Sequence, residues 1–263
     1  MDLKLAGLLA LVTGGSRGVG HACATALLNE GARVVLVARD PDRLERARAS
    51  LAETHGDSVM AEIADLGDDS AMRSMVERVE ARAGVPDILV NAGATVAPAD
   101  FLELDEAAFR DGIFEQKLFG YARALRHVLP RMAARGSGRV VNIAGLGGRQ
   151  PHITTIPVNL NNAAVLSLSK ALATQYAPRG IGINTVVPHM INTDRQEETM
   201  QKWAEMTGKT VEQVVAERMK TVPLGRLGRA EEVAAVVTFL ASPVASFVVG
   251  AVWHVDGGVA VSM

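Results

Sequence analysis

Seven short apolar runs rich in β-branched residues recur along the chain: 8–13 (LLALVT), 33–38 (RVVLVA), 58–63 (SVMAEI), 87–92 (DILVNA), 138–144 (GRVVNIA), 182–187 (GINTVV) and 251–256 (AVWHVD). Their apolar residues are continuous rather than alternating, the pattern of strands covered on both faces. Longer stretches with helical spacing lie between them, at 18–30, 41–54, 69–82, 106–134, 157–178 and 229–241. That order predicts an α/β fold, a doubly wound parallel sheet of about seven strands with helices on both sides.

No low-complexity or linker-like segment breaks the pattern, so residues 1–263 are read as a single domain. One stretch departs from it. Residues 192–222 are polar, methionine-rich and helical, and they leave the carboxyl end of the sixth strand. A segment there is placed to cover a ligand crevice, though an ordinary surface excursion has the same composition.

The net charge of −2 gives no electrostatic reason to expect a nucleic acid or an anionic membrane as partner. The single cysteine, Cys23, excludes an internal disulfide framework and fits a reducing compartment. No apolar stretch approaches the ~20 residues of a membrane span, and the first apolar run lacks a signal-like flank. A soluble, cytoplasmic protein is expected.

Between the first strand and the first helix runs LVTGGSRGVGHA, residues 11–22. Gly14 permits a tight turn, Gly18 lets the backbone approach a pyrophosphate, and Gly20 lets helix and sheet pack closely. Ser16, Arg17 and Val19 complete a loop whose N–H groups end at a helix N-terminus. The strand–turn–helix setting is the context this motif requires.

With Thr13 in front, the G-x-x-x-G-x-G spacing resembles the short-chain dehydrogenase/reductase family. ADL (64–66), NAG (91–93), GRVVNI (138–143), ALATQYAPRGIGINTVVP (171–188), PLGRLGRAEEVAAVVTFLAS (223–242) and VDGG (255–258) extend the likeness over nearly the whole chain. The resemblance implies a Rossmann-like fold and a nicotinamide dinucleotide cofactor. It also implies that Asp65, beside Leu66, accepts from the adenine amino group. Asn91, Ala92 and Gly93 would line the ribose side, and Thr193 would reach the nicotinamide carboxamide. A homo-oligomer, tetramer or dimer, built on the 106–134 and 157–178 helices is implied as well.

The second strand ends LVARD. An acid at its end would bind the ribose 2′-OH of NAD, but Ala38 stands there, followed by Arg39. Arg39 and Arg17, with the Ser16 hydroxyl, suit a 2′-phosphate, which favours NADP(H) over NAD(H); Asp40 is the residue that argues the other way.

The resemblance is weakest where the family places its chemistry, a serine, a Tyr-x-x-x-Lys pair and an asparagine. In the register set by NAAVLSLSKALATQYAPRGI, residues 162–181, Asn162 takes the lysine position and Val158 the tyrosine position. Gly145 takes the serine position, and Lys117 the asparagine position. The lysine and asparagine have thus exchanged places. Candidate catalytic groups are Lys117, Asn162, Tyr121, which shares a helix face with Lys117, and His152; His189 also follows a strand end. Each has a structural alternative: Lys117 snorkelling, Tyr121 at an oligomer contact, the asparagines hydrating a helix start, and the histidines solvated or hydrogen-bonded in their loops. No metal-ligand cluster is expected.

The substrate pocket is expected between residues 94–98, the 145–155 loop and the 192–222 excursion, shaped for a largely hydrophobic small molecule. An NADP(H)-dependent oxidoreductase acting on a carbonyl, alcohol or activated enone through a non-standard proton path is the leading expectation. A non-redox enzyme on the same fold and a silent cofactor-binding subunit are the alternatives.

Overall fold

A computed structural model describes residues 1–93, 101–103, 105–153 and 155–261. The first half runs β1 (Leu9–Thr13), α1 (Gly18–Asn29), β2 (Arg33–Ala38), α2 (Pro41–His55), β3 (Val59–Ile63), α3 (Asp69–Ala83) and β4 (Ile88–Asn91). A π-helix over Ala108–Phe119 then leads into α4 (Gly120–Arg135), so the long helix expected from 106 is wound in two ways. The chain continues through β5 (Gly138–Ile143), α5 (Ile156–Tyr176) and β6 (Ile181–Pro188).

The 192–222 excursion folds as α6 (Asp194–Thr207) and α7 (Val211–Met219). It is flanked by two two-residue strands that the sequence did not announce, β7 (Ile191–Asn192) and β8 (Gly228–Arg229), paired in parallel. Helix α8 (Ala230–Ala241) and strand β9 (Val252–Val255) close the chain.

The seven-stranded sheet has the order β3-β2-β1-β4-β5-β6-β9, parallel throughout. Both of its faces are covered, which is why its strands carry no polar alternation. Val12, Val34, Leu36, Ile88 and Val90 face α1, α2 and α8 through Cys23, Leu27, Leu44, Val233 and Val237. Leu9, Leu11, Val35, Leu89 and Val140 face the opposite layer through Met72, Met75, Leu125, Leu129 and Ala173. The order in which successive strands are laid down reverses between β1 and β4, and the crevice outside their carboxyl ends is where such sheets take ligands.

A buried polar chain crosses the sheet beneath that crevice. Asn91 Nδ2 donates to Asn142 Oδ1 at 2.9 Å, and Asn142 Nδ2 donates to Ser169 Oγ at 2.8 Å. Ser169 Oγ donates in turn to the Val165 carbonyl at 2.7 Å, so strands and α5 are tied by satisfied donors.

Candidate active site

One cavity of about 890 Å³ opens over the carboxyl ends of the strands. At one end is the glycine turn. An added Cβ on Gly20 would sit 2.3 Å from the Gly14 carbonyl oxygen, and one on Gly14 would sit 2.5 Å from Gly93 Cα. Gly14 and Gly20 therefore serve close backbone packing. Gly18 differs: a Cβ there would meet only Thr193 Cγ2 at 3.6 Å, because it faces the cavity. Ser16, Arg17, Gly18, Val19, Ala92 and Gly93 join the lining, and Thr193 closes it from the start of α6. This glycine cradle at a helix N-terminus fits the pyrophosphate of a dinucleotide.

Arg39, Arg43 and Leu66 continue the wall past the end of β2. Arg43 lay outside the sequence expectation, although its position one turn into α2 brings it to the same strand end. Asp40 caps α2: its Oδ1 accepts from the Arg43 N–H at 3.0 Å, and that bond holds the carboxyl below its usual range. Arg17 pairs with Glu198 of α6 at 3.0 Å, across the cavity mouth.

Two expected cofactor contacts are placed differently. Asn91 is not part of the cavity wall; it is fully buried, its amide held in the polar chain described above. Asp65 also lies off the wall, with Oδ1 accepting from the Gly67 N–H at 2.8 Å. Sequence position gave their neighbourhood but not these partners. Residues 94–98, expected to shape the pocket, lie outside the described residues.

The middle of the cavity holds the exchanged pair. Lys117 Nζ donates to Asn162 Oδ1 at 2.8 Å, with Lys117 only 9% exposed and Asn162 4%. The ammonium lies 6.0 Å from the centre of the Tyr121 ring. Tyr121 is buried, lines the cavity and donates its hydroxyl to the Ile143 carbonyl at 3.2 Å, so the oligomer-contact reading does not hold for it. Lys117 does not snorkel to solvent either.

Gly145 belongs to the same packing unit, since a Cβ on it would lie 2.8 Å from Asn162 Nδ2. Asn159 and Asn161 are buried as well, which overturns the reading that these asparagines hydrate a helix start. Asn159 Nδ2 donates to the His152 carbonyl at 2.7 Å and pins the loop before α5. Val158 lines the cavity, as does His152, whose residue is largely exposed.

The far end is walled by His189, Trp203, Lys209, Val214, Glu217 and Arg218. Burial holds the His189 imidazole below its ordinary pKa, with the Arg218 and His152 charges adding to the effect and Asp256 opposing it. A histidine kept neutral in the fold binds fewer protons than it does unfolded, so its contribution to stability is present above about pH 6.5 and declines as pH falls below that. His189→Gln is therefore expected to flatten the acid-side fall in stability below about pH 6.5 and to change little at pH 8. Urea midpoints across that range check it; an unaltered acid limb would remove His189 as the source.

The family profile described as enoyl-(acyl carrier protein) reductase matches residues 14–260. A cis-4-hydroxycyclohexanecarboxylate dehydrogenase of Sinomonas cyclohexanicum is 35% identical over 95% of this chain and 95% of its own. The crystal structure of L-sorbose reductase from Gluconobacter frateurii, complexed with NADPH and L-sorbose, superposes with a TM-score of 0.93 at 31% identity, covering both chains fully. An NADPH-bound short-chain oxidoreductase from Pseudomonas aeruginosa PAO1, described as containing an atypical catalytic center, is 29% identical with a TM-score of 0.88 over 98% of this chain and 100% of its own. Profile, relatives and sheet order agree: the chain belongs to the short-chain dehydrogenase/reductase family of oxidoreductases.

Proposed function

We propose that the protein is an NADPH-dependent reductase of small carbonyl compounds, working through a rearranged catalytic centre in which the cation comes from Lys117. The observation that carries this reading is the hydrogen bond from Lys117 Nζ to Asn162 Oδ1, made inside the cavity that the glycine turn opens. NADPH, when bound, supplies the hydride. Gly14, Ser16, Gly18, Val19, Gly20, Ala92, Gly93 and Thr193 are the residues that would hold it. Asn162 fixes the ammonium, and the ammonium hydrogen-bonds the substrate's carbonyl oxygen. As that oxygen becomes an alcohol it takes a proton from Nζ, which solvent then restores. Tyr121 supports the ammonium through its ring face and shapes the apolar wall.

The same reading assigns the 2′-phosphate to Arg39 and Arg43, with Arg17 shared between phosphate and Glu198. Asp40 does not oppose this, because its carboxylate is engaged in capping α2. The NADPH complexes among similar structures support the choice. Arg39→Ala is expected to weaken NADPH binding by roughly tenfold, a guanidinium–phosphate contact at an exposed site, and to leave NADH within about twofold. Fluorescence titration of both nucleotides measures this; equal losses would place the phosphate elsewhere. The reading as a whole is tested by NADPH oxidation over a panel of ketones and enones. Absence of NADPH binding at millimolar nucleotide overturns it, and binding without turnover leaves a silent cofactor-binding protein.

Phe119 and Leu160, apolar and exposed on the 106–134 and 157–178 segments, support pairing of copies of the chain there.

A further inference from the structure

Arg218 stands apart from the other arginines along the cavity. It extends from the last turn of α7, and its guanidinium lies over the Trp203 ring of α6, 4.2 Å from the centroid. It lines the cavity and is half-buried, so burial disfavours its charge. Its acidic neighbours are occupied. Glu217 is held by Lys209 Nζ at 2.9 and 2.7 Å. Asp256 accepts the Gly258 N–H at Oδ1 and the Ala260 N–H at Oδ2, each at 2.9 Å. Among the described residues no carboxylate pairs with Arg218. A guanidinium held partly out of water without a counter-ion is costly, and one fixed flat on an indole presents its N–H edge in a set direction.

His189, whose wall adjoins Arg218, is neutral for the reasons given above, and so adds a donor or acceptor without charge. Lys209 is neutralised by Glu217. Among the described residues lining that end, Arg218 is thus the cation without an acidic partner, and a single guanidinium matches a carboxylate better than a phosphate dianion.

We infer that Arg218, stacked on Trp203, is the anchor for a carboxylate on the substrate, so that the protein selects oxo acids or hydroxy acids over uncharged ketones and alcohols. It adds a charged end to the largely hydrophobic ligand expected from the sequence. It deepens the reductase reading and rests on it for the assignment of the ligand as substrate.

The test uses 5-oxohexanoate and its uncharged amide, with NADP+ bound. Trp203 reports occupancy by fluorescence in a Trp253→Phe background, the chain having two tryptophans. Wild-type protein is expected to bind the acid about 10–100-fold more tightly than the amide, the range of a charge-assisted contact to a carboxylate. Arg218→Gln should erase that preference while NADP+ binding persists. Should Arg218→Gln fail to fold, Arg218→Lys, which keeps the charge but loses the planar stack, should retain part of the preference. Equal binding of acid and amide by the wild type overturns the inference, as does a preference that survives in Arg218→Gln. Inorganic phosphate displacing 5-oxohexanoate more effectively than acetate does at equal ionic strength overturns the carboxylate assignment. Failure here is separable from failure of the reductase reading. Turnover of acid and amide alike sinks only the anchor, and acid-selective binding without turnover of any carbonyl sinks only the redox chemistry.

Discussion

Lys117→Met is expected to lower kcat for carbonyl reduction by about 10²–10⁴, the range lost when a positioned proton donor is removed. NADPH affinity should stay within a few-fold, because Lys117 lies beyond the glycine cradle that would bind the pyrophosphate. Asn162→Ala is expected to cost less, about tenfold, since the ammonium remains but loses the amide oxygen that fixes it at 2.8 Å. Single-turnover NADPH oxidation, with a urea midpoint to confirm folding, separates the two variants. Unchanged turnover in folded Lys117→Met would remove the ammonium from the mechanism.

The second large effect divides two glycines only four residues apart. Gly14 has φ +67° and a Cβ position 2.5 Å from the Gly93 backbone. Gly14→Ala adds left-handed strain of about 1–2 kcal/mol to an overpacking cost of similar or larger size, so roughly 3 kcal/mol of stability should be lost. Gly18 has φ +57° but only ordinary van der Waals contact ahead of it, Thr193 Cγ2 at 3.6 Å. Gly18→Ala should cost only the strain, about 1–2 kcal/mol, yet hinder the approach of a pyrophosphate and weaken NADPH binding more than tenfold. Denaturant midpoints and nucleotide titrations should therefore rank Gly14→Ala first for stability loss, with Gly18→Ala binding poorly while still folded. A Gly18→Ala protein that binds NADPH normally would show that the turn is not the phosphate cradle.

Much of this architecture was readable because parallel strands covered on both faces leave an unmistakable run of apolar residues. The β1, β2 and β5 runs and the glycine turn after β1 needed no tertiary information. The exchange between positions 117 and 162 was also visible as a pair of identities. Its meaning was not, since no local pattern shows that residues 45 apart bond directly, or that Asn162 occupies the space a side chain at 145 would need. Asn91 and Asp65 illustrate the opposite limit. Each stands where a ligand contact is expected, and each also has a partner within the protein, Asn142 for Asn91 and the Gly67 N–H for Asp65, that no local pattern reveals. Arg218 was hidden for a related reason. In a polar helical stretch it looks like any solvated arginine until Trp203, fifteen positions earlier, is seen to lie beneath it.

The short β7–β8 ladder has an evolutionary implication. Ile191 pairs with Gly228 and Asn192 with Arg229, and the Gly228 N–H is held by the Met190 carbonyl at 3.0 Å. The two ends of the excursion are thereby fastened to each other, whatever the residues between them do. Doubling the length of a chain segment whose ends are already joined costs only about 0.6 kcal/mol in closure entropy. The α6–α7 insert can therefore behave as an exchangeable cassette: Trp203 and Arg218 can be rewritten for another ligand while the nucleotide half and the parallel sheet stay as they are.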